Sequence, residues 1–113
     1  MASELLKLQW KFTRMLPKLF AQAHALGYEA TLGDGFRDAR LHGDFGVKRG
    51  YGAAKSQHKR RLAIDLLLFK DGKYLTDTKD YAPLGLWWEQ QGGAWGGRFE
   101  DGNHFSLEYQ GAK

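Results

Sequence analysis

Two histidines and two aspartates are the residues of this sequence best suited to chemistry: His58, Asp65, Asp101 and His104. Asp65 interrupts the apolar run LAIDLLLF (Leu62 to Phe69), which reads as the most buried strand, where an unpaired carboxylate would be very costly. Two kinds of partner would relieve that cost. One is an ion pair with the adjoining Lys59, Arg60 or Arg61. The other is a metal ion shared with His58, which stands in the loop entering the strand, and with His104, which begins the last strand. Two imidazoles and one carboxylate hold a tetrahedral zinc with one position left for water, and such a water ionises near neutral pH. A carboxylate outside the ligand set must then take the water's proton and pass it to a leaving amine. Asp101, three residues before His104 and turned by Gly102, suits that role, with Glu100 in reserve. Arg37, in Gly35-Phe36-Arg37, would set positive charge beside a developing oxyanion. Of the other histidines, His24 lies late in a helix where it complements the dipole, and His42 lies in a loop with no spacing that ties it to the rest.

These residues need a frame to bring them together. From Ser3 to about Leu26, apolar residues recur every three or four positions, which predicts one long helix with Ser3 as N-cap and Gly27 as its stop. Pro17 removes a backbone donor, so a kink or a break into two helices is expected near Met15 to Pro17. Tyr28 to Leu32 is strand-like, and the Gly-rich, charged stretch from Gly33 to Arg61 reads as a long ordered loop, a feature that tends to be functional. Leu62 to Phe69 is the central strand, Asp71-Gly72 a hairpin turn, and Tyr74 to Thr76 the returning strand. Tyr81 to Gln91 is a shorter helix whose Trp87 and Trp88 should pack on the sheet; a glycine-rich loop and a strand from about His104 to Tyr109 follow. The expected fold is one α+β domain over 1–113, two helices packed on a small, mainly antiparallel sheet.

Composition narrows the chemistry. There is no cysteine, so thiolate sites and disulfides are excluded and a metal must use imidazole and carboxylate. The N-terminal residues lack the uninterrupted apolar stretch of a signal peptide, and no run reaches membrane-spanning length. Synthesis in the cytoplasm is therefore expected. The net charge of +4 is mildly basic, which favours anionic partners without requiring one. The basic loop from Arg37 to Arg61 also holds Asp38 and Asp44 and carries no nucleic-acid motif, so nucleic acid is not expected as a partner.

Four groups of residues, in order, resemble the family of D-alanyl-D-alanine and L-alanyl-D-glutamate metallopeptidases, whose fold is shared with the Hedgehog signalling domain. They are Gly35-Phe36-Arg37; Ser56 and His58 with Ala63 and Asp65; Trp95-Gly96-Gly97; and Asp101 with His104-Phe105. The resemblance covers about Gly35 to Phe105. It implies one Zn2+ held by His58, Asp65 and His104, with Asp101 as general base. It further implies that Arg37 stabilises substrate and tetrahedral intermediate, and that Ser56 contacts substrate. Arg61 departs from the pattern, which usually has Gly there, so the loop between His58 and the strand should pack differently. The compact basic form most resembles the phage endolysins that cut between L-alanine and D-glutamate. A D-alanyl-D-alanine carboxypeptidase or dipeptidase is the alternative, as is a non-catalytic, metal-stabilised wall-binding module. The implied partners are peptidoglycan stem peptides, met by a monomer that does not insert into membrane and reaches the wall after a partner has permeabilised the membrane.

Overall fold

The computed structural model describes residues 2–48 and 55–113. Helix α1 (Glu4–Ala25) begins where expected: the extended Ser3 accepts from the Leu6 N–H at 3.1 Å, and Gly27 adopts φ +88 after its end. The expected break into two helices does not occur: α1 runs through Pro17. Pro17 and Thr13 both lie on the exposed side, so the carbonyl that loses its donor is open to water and the break is not forced.

The sheet has the order β1 (Glu29–Leu32), β2 (Ala63–Lys70), β5 (His104–Ser106), β4 (Ala94–Trp95), every pair antiparallel, with β3 (Lys73–Tyr74) paired to the end of β2. Asp71 and Gly72 both take positive φ, the geometry of the expected tight hairpin turn. Three boundaries differ from the sequence reading. The returning strand is Lys73–Tyr74 and does not extend to Thr76. The final strand ends at Ser106, and Ala94–Trp95, inside what reads as a glycine-rich loop, pairs with β5 as an edge strand. The remaining α-helices among the described residues are α2 (Ala39–His42), a single turn within the long loop, and α3 (Ala82–Gln90). The central part of that loop, 49–54, lies outside the described residues, as does the side chain of His42.

Strand alternation separates core from site. Ile64, Leu66 and Leu68 of β2 and Phe105 of β5 face the helices, where they meet Phe12 and Leu19 of α1 and Leu84 and Trp88 of α3. Trp88 is fully buried; its ring stands edge-on to Phe12 and to Phe105, each 6.2 Å away, and its indole N–H donates to the Ala94 and Ser106 carbonyls. Trp87 is half-buried at the margin. Asp65, Leu67 and Phe69 alternate with the core residues and point to the opposite face, as His104 and Ser106 do on β5. The α+β architecture is as expected.

Candidate metal centre and its cleft

Antiparallel pairing sets Asp65 directly opposite His104. The Asp65 N–H donates to Asp34 O and its carbonyl accepts from the Gly33 N–H, both at 2.8 Å, so its backbone is committed to the β1 side. Asp65 and His104 thus form a non-hydrogen-bonded pair, the arrangement in which cross-strand side chains stand closest. His58 arrives from the 3-10 turn Gln57–Arg60. Ser56 caps that turn, its Oγ accepting from the His58 N–H at 3.2 Å. Arg61 closes the turn at φ 59, ψ 31.

Within this frame His58 is 1% exposed, and its Nδ1 lies 2.8 Å from the Gly35 carbonyl. A carbonyl only accepts, so Nδ1 carries the hydrogen and Nε2 offers its lone pair. Nε2 stands 3.1 Å from Asp65 Oδ1 and 3.3 Å from His104 Nδ1, and the latter two atoms are 3.7 Å apart. One ligand atom from each of the three residues lies within 4.8 Å of the other two. Electron-rich atoms this close require protons or a cation between them, and two imidazoles with one carboxylate form a donor set that suits zinc. The residues present therefore fit a metal ion. Burial would raise the Asp65 carboxyl; with protons on the facing nitrogens of His104 and His58, hydrogen bonding and charge would outweigh burial and hold the group well below the usual carboxylate range.

The alternative partners for Asp65 are otherwise engaged. Arg60 stacks 3.5 Å from the Phe45 ring centroid, Arg61 lies 4.0 Å over Phe36, and Lys59 reaches the Val47 carbonyl. Arg61 adopts the left-handed backbone that Gly favours, and its side chain lies over Phe36.

A cleft of about 250 Å³ opens over His58 and His104. Arg37 lines it, held by Asp34 through Nε at 3.1 Å and by Ser56 Oγ through an Nη at 3.2 Å, with its other Nη 3.9 Å from Asp65. Asp101 stands at the rim and is exposed. Desolvation by the cleft walls raises its carboxyl above the ordinary value; nearby His104 partly opposes this and the Asp65 charge adds to it. Glu100 instead lines a neighbouring pocket with Tyr74 and Thr78, which removes it from the cleft. Gly96 makes the assembly possible, because a Cβ there would lie 2.6 Å from His104 Cβ and still closer to the Asp101 carbonyl.

A family model described as D-alanyl-D-alanine carboxypeptidase matches residues 49–107, just over half of the chain. The chain belongs to that family of zinc peptidases. The matched span contains His58, Asp65, Asp101 and His104 but not Arg37. No curated protein matches the chain.

Sequence reasoning missed four residues around the centre. Lys55, Phe99 and Lys113 line the cleft, and the Phe99 ring stands 5.6 Å from that of His104. Gln57, fully buried, donates through Nε2 to the Leu107 and Ala112 carbonyls and so binds the C-terminal segment to the His58 turn. A glutamine beside His58 carries no spacing signal, and the cleft-lining residues are joined only by folding.

Proposed function

We propose that this chain is a zinc-dependent hydrolase of peptidoglycan stem peptides, of the L-alanyl-D-glutamate endopeptidase type used by phage endolysins. The observation that carries the proposal is the meeting of His58, Asp65 and His104 beneath a cleft that also holds Asp101 and Arg37. In this reading His58 Nε2, His104 Nδ1 and an Asp65 oxygen are the ligands. Zinc, when bound, supplies a Lewis acid and lowers the pKa of a coordinated water.

The remaining work falls to the chain's own residues. Asp101, with its raised proton affinity, takes the proton of the attacking water and delivers it to the leaving amine. Arg37, fixed in place by Asp34 and Ser56, directs its guanidinium at the oxygen that gains charge as the scissile carbonyl is attacked. Ser56 Oγ accepts from His58 and Arg37, which leaves its O–H to donate to substrate. We place synthesis in the host cytoplasm and action at the wall after membrane permeabilisation, by a monomer. Consistent with that, no helix among the described residues is long and apolar enough to cross a membrane.

A second reading, D-alanyl-D-alanine carboxypeptidase, is favoured by Lys55 and Lys113, two cleft-lining residues whose positive charge suits a terminal carboxylate. Mass spectrometry of purified pentapeptide muropeptides after digestion separates the two. Cleavage after L-alanine is the expected result; release of terminal D-alanine alone would establish the second reading. Intact muropeptides with metal bound would leave a binding module.

A further inference from the structure

Helix α1 buries Phe12, Met15, Leu19 and Ala23 against the core, and its other side carries an ordered set of charges. Lys7, Lys11, Arg14 and Lys18 follow the spacing i, i+4, i+7, i+11, which at 3.6 residues per turn confines them to a stripe about 60° wide and about 16 Å long. All four are exposed, none is in a salt bridge among the described residues, and Glu4 is the only acid in the helix. Beside the stripe, Trp10 is 49% and Leu6 37% exposed, although the same helix offers an apolar face that could have buried them.

We infer that this face of α1 is a docking surface for an anionic lipid bilayer. A row of cations on a convex helix meets a planar layer of phosphates along its whole length, and an adjoining Trp and Leu can enter the headgroup region without the helix leaving its place in the fold. The Trp and Leu flank favours a lipid surface over nucleic acid, which offers cations phosphates but gives these apolar side chains no comparable interfacial layer. Docking in this orientation has a mechanical consequence. The core face of β2 and β5 rests on α1 while Asp65 and His104 point from the opposite face, so a chain held by α1 turns its cleft away from the bilayer.

Co-sedimentation with vesicles tests the inference. Phosphatidylglycerol/phosphatidylethanolamine vesicles should retain the protein and phosphatidylcholine vesicles should not. Raising salt from about 0.1 M to about 1 M, which shortens the screening length from about 10 Å to about 3 Å, should release it. The double variant Lys11→Gln/Lys18→Gln should partition on the order of 25-fold less, about fivefold for each charge removed. Trp10→Ala should weaken retention at unchanged charge, and hydrolysis of soluble muropeptides should stay at the parent rate in all variants. Parent-level retention of the double variant would overturn the inference, and so would retention on DNA with none on anionic vesicles.

Discussion

Replacing Gly85 with Ala pits helix propensity against packing, and the structure decides the sign. At an open helical position the change would add about 1 kcal/mol of stability. Gly85 lies inside α3 facing the Trp95 indole, and the new methyl group would stand 2.6 Å from Trp95 Cγ and closer still to Cδ2 and Cε2. Trp95 has little room to move: Gly97 also packs so tightly on its six-membered ring that a Cβ there would collide with it, and its Nε1 donates to the Gly102 carbonyl at 2.7 Å. Overpacking costs about 1–3 kcal/mol, and contacts this short belong at the upper end, so after the propensity gain a net loss of about 2 kcal/mol is expected. In a domain of this size that lowers Tm by roughly 8–10 °C. The damage should also reach the cleft, because Gly102 follows Asp101 and its carbonyl is what Trp95 holds. A base displaced by a fraction of an ångström should reduce kcat by about tenfold to a hundredfold. Thermal unfolding followed by circular dichroism, with hydrolysis measured well below Tm, reads both effects. A Tm above that of the parent with unchanged kcat would refute the reasoning.

Asp101→Asn should retain metal and lose about 10²–10⁴ in turnover. Because burial raises its carboxyl, the fold binds a proton more tightly than the unfolded chain. Asp101 therefore lowers stability as pH rises from its ordinary value through the folded one. Urea unfolding should accordingly show the Asn variant gaining on the parent between about pH 4 and about pH 7; an equal difference at both would contradict the assignment. At the turn after His58, Arg61→Gly should be about 1 kcal/mol more stable than Arg61→Ala, since both lose the stack on Phe36 and only Ala keeps the left-handed strain. Equal stability would show that no strain resides there. Gln57→Ala should cost about 1–3 kcal/mol and raise hydrogen exchange at the Tyr109 and Ala112 amides, which pair with each other's carbonyls beside the lost bonds. Unchanged exchange would separate Gln57 from the C-terminal segment.

Much of the fold was legible because it is written in local periods. The three- and four-residue spacing of α1, the apolar run of β2 and the Asp71-Gly72 turn each predict an element that the structure contains. Residues whose role depends on distant neighbours escaped. Ala94–Trp95 is too short and too Gly-flanked to signal a strand, and its pairing comes from β5. Pro17 reads as a helix breaker unless it is known that its side of α1 faces water. The centre itself was readable because a carboxylate in a buried strand demands a partner, and the Asp65–His104 register supplies one. Lys55, Phe99 and Lys113 carry no such demand, and the cleft that gathers them exists only in three dimensions.

The most direct test of the account is metal content measured together with activity. Purified protein should hold one zinc per chain, lose wall-lytic activity on chelation and regain it when zinc is restored, and His104→Ala should bind no zinc at a concentration that saturates the parent. Lysis that persists in metal-free protein, or full zinc binding by His104→Ala, would contradict the assignment of His58, Asp65 and His104 as the catalytic metal site.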